Sequence, residues 1–231
     1  QARTLGDSLK RTNPHIRYII GLVDRLDSAQ VPDDKLPDFE LLELHKIGID
    51  GLDEMCKHYN ITELNTAVKP YFIRYFFERI PQVRNVIYFD PDIIVYQPLT
   101  DLENLLEKHD IVLTPHLTTP IEDRLTPNEL HHLNTGVYNL GFIALHKSPE
   151  AVDFVKWWEE KLFDECKIDL CNGLFVDQHW VNFAPVFWNN IHVEKHLGWN
   201  AAYWNLHERT FSLESGQHLV NQKPVVFFHY S

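Results

Sequence analysis

The chain has 231 residues, 44% of them apolar and 13% aromatic, with a formal charge of −12, a length and composition that suit one α/β domain with a substantial core. The acidic balance excludes nucleic acid as the main partner, because phosphate backbones select basic surfaces, and no run of 18 apolar residues is present to form a transmembrane segment. Cys56, Cys166 and Cys171 show no C-x-x-C spacing and so indicate neither a disulfide framework nor a zinc site; with no signal-peptide pattern in QARTLGDSLKRTNP, the expectation is a reducing, cytoplasmic setting.

In chain order, residues 2–13 read as a helix with Ala2, Leu5 and Leu9 on one face, ended by Asn13-Pro14. Ile16–Val23 reads as a buried strand. A βαβ unit needs a strand before that helix, so the domain is expected to lack its first strand before Gln1. Residues 24–38 are polar, with Pro32 and Pro37, and read as a loop; residues 39–49 read as a short strand and turn. Gly51–Tyr59 is helical. Asn60–Thr66 leads into a strong helix over Lys69–Ile80, where Phe72, Phe76 and Ile80 recur at spacing four and Ile73 and Phe77 widen the stripe. Pro81 ends it.

The next stretch, VIYFDPDIIVYQPL over Val86–Leu99, organises the rest. Its β-branched and aromatic run reads as a strand covered on both faces. Such a strand excludes unpaired carboxylates from its interior, so Asp90 and Asp92 are expected at its C-terminal end. Leu102, Leu105 and Leu106 mark a short helix, and residues 110–114 a buried strand. Residues 115–133 carry prolines, charges and several histidines without a period, as functional loops do, and are expected to shape an acceptor site. Gly136–Leu145 is a strand interrupted by Asn139 and Gly141. Pro149–Phe163 is a helix with Val152, Val155, Trp158 and Leu162 inward. Asp177–Phe183 starts another helix with Asp177 placed to cap it. Ala184–Val193 reads as short strands, Gly198–Glu208 as aromatic and irregular, and Pro224–Tyr230 as a final strand ending on His229. No internal repeat, low-complexity segment or linker interrupts the chain.

Several side chains carry chemistry. Asp90 and Asp92 flank Pro91, so two carboxylates share one rigid turn; a hard divalent cation with oxygen ligands is their natural guest, and an ordinary solvated turn is the alternative. Of 14 histidines, His229 alone follows an apolar strand to its end as the aspartates do, and an imidazole beside two carboxylates suits manganese. Asn139 with Gly141 implies close approach of something polar, a sugar hydroxyl or neighbouring backbone. Asp177 and Gln178 could reach a cleft from a helix start or simply cap it. Lys69 or Arg74 could meet a phosphate, or face solvent.

The order of these motifs resembles the GT-A-fold glycosyltransferases, and most closely the family 8-like group of glycogenin and bacterial galactosyltransferases. The resemblance rests on Tyr88-Phe89-Asp90-Pro91-Asp92-Ile93 as the Asp-x-Asp (DXD) strand, Asn139-Leu140-Gly141, Asp177-Gln178 to Asn182, Trp199-Asn200 and His229-Tyr230-Ser231. It implies a Rossmann-like α/β fold with a mostly parallel central sheet and helices on both faces, spanning residues 1–231 as a single domain. It implies a hexosyltransferase in which Asp90, Asp92 and His229 bind Mn²⁺ (or Mg²⁺), which holds the diphosphate of a nucleotide-sugar donor, a UDP-sugar. Asn139, Asp177 and Gln178 are then the catalytic candidates lining the sugar subsite. Lys69 or Arg74, with Lys69 the first choice, takes the basic donor-binding position beside Asp90 and Asp92. The acceptor is a saccharide or other hydroxyl compound, and transfer retains anomeric configuration. Proline between the aspartates departs from the small residue usual in the family. The rival readings are a sugar nucleotidyltransferase, which would want a Gly-rich basic loop near its N-terminus, and a non-catalytic sugar-nucleotide or glycan-binding module.

Overall fold

A computed structural model describes residues 1–26, 36–122 and 125–231. The loop read over 24–38 therefore lies largely outside the described residues. The strands are β1 (Ile19–Leu22), β2 (Glu40–Glu43), β3 (Asn85–Phe89), β4 (Ile93–Val95), β5 (Ile111–Pro115), β6 (Tyr138–His146), β7 (Ile168–Asp169), β8 (Leu174–Phe175), β9 (Ile191–Val193), β10 (Phe211–Glu214), β11 (Gln217–Val220), β12 (Lys223–Pro224) and β13 (Phe227–His229). The central sheet has the order β3-β6-β5-β9, β1 pairs with β2, and β4 pairs with β13.

The central sheet is mixed rather than mostly parallel. β6 runs antiparallel to both β3 and β5, while β5 and β9 are parallel. A parallel neighbour requires a crossover to the opposite end of the sheet. The chain instead leaves β5 at Pro115 and returns at Tyr138, directly opposite, with His116 N–H bonded to Val137 O at 2.9 Å. β6 must then run back along β5.

The sheet lies between two cores, as alternating side chains on its strands require. Ile111 and Leu113 of β5 and Ile143 and Leu145 of β6 face a core built with helices Leu52–His58, Ile61–Ala67, Lys69–Arg79 and Pro149–Asp164. Val112, Phe142 and Ala144 face the other, with Leu5 and Leu9 of helix Ala2–Thr12, Leu102 and Leu106 of helix Thr100–Leu106, and Ile93, Val95 and Phe227 of the β4/β13 pair. Helices thus cover both faces.

Other local readings change. β3 is covered on both faces, Val86 and Tyr88 packing against one core and Ile87 and Phe89 against the other, but it is only half-buried because it ends the central sheet, and the run from Val86 divides into β3 and β4 at the Asp90–Asp92 turn. Val152 is 46% exposed; the buried stripe of its helix runs through Ala151, Phe154, Val155, Trp158 and Leu162, and Val152 falls outside it. A helix, Glu129–Thr135, begins inside the segment 115–133 read as a loop and runs past its end, with the Asn128 side chain accepting from His131 N–H. Ala184–Phe187 is a helical turn rather than a strand; Pro185 suits a first turn, and Phe183 and Phe187, four residues apart, stack at 5.4 Å. No helix among the described residues is long and apolar enough to cross a membrane.

Candidate active site: an acidic turn and a histidine at the sheet end

β3 ends at Phe89, and Asp90–Ile93 form a turn closed by Ile93 N–H to Asp90 O at 3.1 Å. Pro91 takes the second turn position, where its fixed φ is favoured. The backbone ties both ends: Asp90 N–H donates to Gly141 O (2.7 Å) and Asp92 O accepts from Tyr230 N–H (2.9 Å). β13 runs antiparallel to β4 with His229 opposite Ile93, which delivers the imidazole to the aspartates. One ligand atom from each of Asp90, Asp92 and His229 falls within 4.8 Å of the others.

His229 is 4% exposed, and its Nε2 lies 3.1 Å from Asp92 Oδ1 and 3.9 Å from Asp90 Oδ2. Asp92 Oδ1 is buried, yet forms no well-directed hydrogen bond among the described residues. Two carboxylates and an imidazole converging around a buried, unsatisfied oxygen fit a divalent cation with mixed oxygen and nitrogen ligands. The Asn139/Gly141 signal has a specific cause here. A Cβ on Gly141 would stand 2.3 Å from His229 Cε1 and 2.8 Å from its Nδ1, so the polar group that approaches this strand is the His229 ring itself.

Lys69 and Arg74 separate. Lys69 is 4% exposed, and its Nζ lies 2.9 Å from Asp177 Oδ2 and 3.5 Å from Asp90 Oδ1. It also donates to Leu140 O at 2.9 Å. Burial alone would lower its pKa, but the Asp177 and Asp90 carboxylates outweigh this and raise it well above the usual value. Arg74 is turned away from this cluster, with its Nε 2.7 Å from Glu159 Oε1 and its Nη1 3.6 Å from Glu78. The register of helix Lys69–Arg79 decides this: five positions along an α-helix lie well off the starting face.

Asp177 occupies the N-cap position but its side chain does not cap. It points inward to Lys69, 2% exposed, and burial raises its carboxyl pKa against the opposing pull of Lys69. Its carbonyl accepts the Trp158 indole N–H at 3.1 Å. Gln178 donates to Thr135 O at 2.5 Å and its Oε1 lies 3.5 Å from Leu140 N. The Asn139 amide is also engaged: its Oδ1 accepts from Gly141 N–H (3.2 Å) and Asn200 Nδ2 (2.9 Å), and its Nδ2 faces His116 Nε2 (3.2 Å). Tyr88, not singled out as a site residue on sequence grounds, donates its hydroxyl to Asp90 Oδ1 at 2.6 Å. Its place two residues before Asp90, one strand repeat away, is the local signal for this. His116 and Trp204 flank the cluster, Trp204 meeting both His116 and His229 edge-on at 5.6 and 5.1 Å; no sequence spacing links them.

No family model matches the sequence. Two curated proteins of Bacillus subtilis strain 168 do match it: the uncharacterised protein YfnF, 29% identical over 173 residues (71% of this chain and 55% of that protein), and the uncharacterised protein YfnD, 21% identical over 192 residues (82% and 60%). The chain thus spans somewhat over half the length of these relatives. Among solved structures, the galactosyltransferase LgtC in complex with donor and acceptor sugar analogues aligns with 99% of this chain and 82% of its own, at 13% identity and a TM-score of 0.50. At that identity the likeness is one of fold, and it agrees with the layered sheet and helices described above: the chain has the α/β fold of the GT-A glycosyltransferases.

Proposed function

We propose that the protein is a metal-dependent glycosyltransferase of the family 8-like type, moving a hexose from a nucleotide-sugar donor, a UDP-sugar, to a hydroxyl acceptor with retention of configuration. The observation that carries this reading is the convergence of Asp90, Asp92 and His229 at the end of β3, β4 and β13 within a GT-A-type fold. These residues would hold Mn²⁺ or Mg²⁺. Such an ion, when bound, supplies Lewis-acid stabilisation of the leaving diphosphate.

The remaining roles belong to the chain's own groups. Lys69 is the basic residue of the donor side; its ion pairs with Asp177 and Asp90 keep both carboxylates fixed in place. Asp177, Gln178 and Asn139 form the wall of the sugar subsite. In the transfer, the bond from the sugar C1 to the diphosphate oxygen breaks. A bond from C1 to the acceptor oxygen forms on the same face, and the acceptor proton passes to the leaving diphosphate.

Calorimetric titration of UDP with and without Mn²⁺ tests the reading. Binding should require the metal and should be lost in Asp92→Ala, with the circular dichroism spectrum unchanged because Asp92 lies in a turn outside the core. Failure of UDP to bind in either condition, or an unfolded Asp92→Ala protein, would overturn it.

A further inference from the structure

We infer that Asn200 is a positioning residue that fixes the tautomer of His229, so that the lone pair of Nε2 is presented to the acidic turn. This rests on the metal-site reading above, while the orientation of each amide is set from the backbone outward. The Gly141 N–H must donate, and it meets Asn139 Oδ1 at 3.2 Å, which fixes the orientation of that amide. The group of Asn200 that lies 2.9 Å from Asn139 Oδ1 is therefore its NH₂. The same NH₂ lies 2.9 Å from Thr114 Oγ1. Asn200 Oδ1 is then left facing His229 Nδ1 at 3.3 Å, and a carbonyl oxygen accepts only. His229 must carry a proton on Nδ1 there, so in the neutral ring Nε2 is the unprotonated nitrogen beside Asp92 Oδ1 and Asp90 Oδ2.

The other end of the chain of bonds agrees. The Asn139 NH₂ donates to His116 Nε2, so His116 is neutral with its proton on Nδ1, directed at Val137 O at 3.3 Å. Backbone groups thus anchor both ends, and every side chain between has one allowed orientation. Asn200 is 1% exposed and held at a left-handed φ of +48°, a conformation that costs a non-glycine residue free energy unless its surroundings hold it. The ring is also clamped on its flanks by Gly141, which has no side chain, and by Trp204. An imidazole ligand whose other nitrogen donates to a fixed acceptor is both oriented and made more basic.

Nitrogen-15 NMR of the histidine rings in metal-free protein, at a pH where the His229 ring is neutral, reads the tautomer directly. Wild-type protein should show Nδ1–H. Asn200→Gly suits the left-handed backbone but removes the acceptor. It should switch His229 to Nε2–H, donating to Asp92, and weaken Mn²⁺ binding by about 10–100-fold. Asn200→Asp keeps an acceptor oxygen and should retain both the Nδ1–H form and most of the affinity. An Nε2–H tautomer in the wild type overturns the inference whether or not any variant folds. So does an Asn200→Gly protein with unchanged tautomer and affinity. A wild type that shows Nδ1–H yet takes up no Mn²⁺ would overturn the metal reading and leave the hydrogen-bond assignment standing.

Discussion

The site is built from groups that constrain one another at van der Waals and hydrogen-bonding range. Gly141 illustrates this most sharply. Its backbone is not in the left-handed region, so an added methyl brings no dihedral strain, and the effect of Gly141→Ala is local. The new Cβ would fall 2.3 Å from His229 Cε1 and 2.9 Å from Asn139 Oδ1, closer than atoms approach, and the imidazole must move. The expected result is a folded protein whose Mn²⁺ affinity drops by at least ~10-fold, on the scale of disturbing the support of a metal ligand, as read by calorimetry beside a thermal melt. Retained affinity would show that the ring has room that the structure does not indicate. Lys69 belongs to the same scale: a buried ammonium between Asp90 and Asp177 is tolerated because it is paired on both sides.

At the level of elements, helix starts and strand registers hold these side chains in position. Helix Ile61–Ala67 begins with a capping box in which Asn60 Oδ1 accepts from the N–H groups of Thr62 and Glu63, and Glu63 Oε2 accepts from Asn60 N–H. The other oxygen of Glu63 accepts from Ile168 N–H at 3.0 Å, which joins this helix to β7. Asn60→Ala should lower unfolding stability by about 1 kcal/mol in a urea titration and leave Mn²⁺ binding as it was, since the cap does not touch the acidic turn. Helix Pro149–Asp164 works on the site from behind, through Trp158 and the Asp177 carbonyl. The β4/β13 pairing is the most consequential register. A slip of one residue would turn His229 to the opposite face and disperse the acidic cluster.

Across the whole molecule, two buried histidines make stability depend on pH. Burial lowers the pKa of His116 to about 3, helped by His132, and that of His132 to about 4. In the unfolded chain both titrate near the ordinary value of about 6.5. The folded-state values are depressed, so below about pH 6.5 the unfolded state binds protons that the native state refuses. Their contribution is complete above that pH and declines as pH falls towards 4, with a slope of up to about 1.4 kcal/mol per pH unit for each ring. Urea unfolding at pH 7 and pH 5 should show this loss, and His116→Gln should reduce it. An unchanged pH dependence in that variant would place the loss elsewhere.

Much of this was legible in the sequence, and the limit has a physical basis. Apolar runs and helical stripes are local properties, so β3, β5, the helix from Lys69 and the acidic turn could be placed from residue order alone. The same order suggested that Asp90, Asp92 and His229 converge, and the structure brings them within 4.8 Å. Periodicity could not settle the direction of β6, because strand pairing depends on where the chain returns, and the helix at Glu129–Thr135 lay hidden in a segment without a stripe. Nor could it distinguish Lys69 from Arg74, an Asp177 that caps from one that pairs, or an Asn139 open to a ligand from one held by Asn200 and His116. Those outcomes depend on which groups meet across distant parts of the chain, at separations such as 61 residues (Asn139 to Asn200) and 108 residues (Lys69 to Asp177). Sequence fixes which groups are present and how each segment folds locally; the partner of a buried polar side chain is decided only when distant segments pack and water is excluded, because only then does an unpaired group become costly.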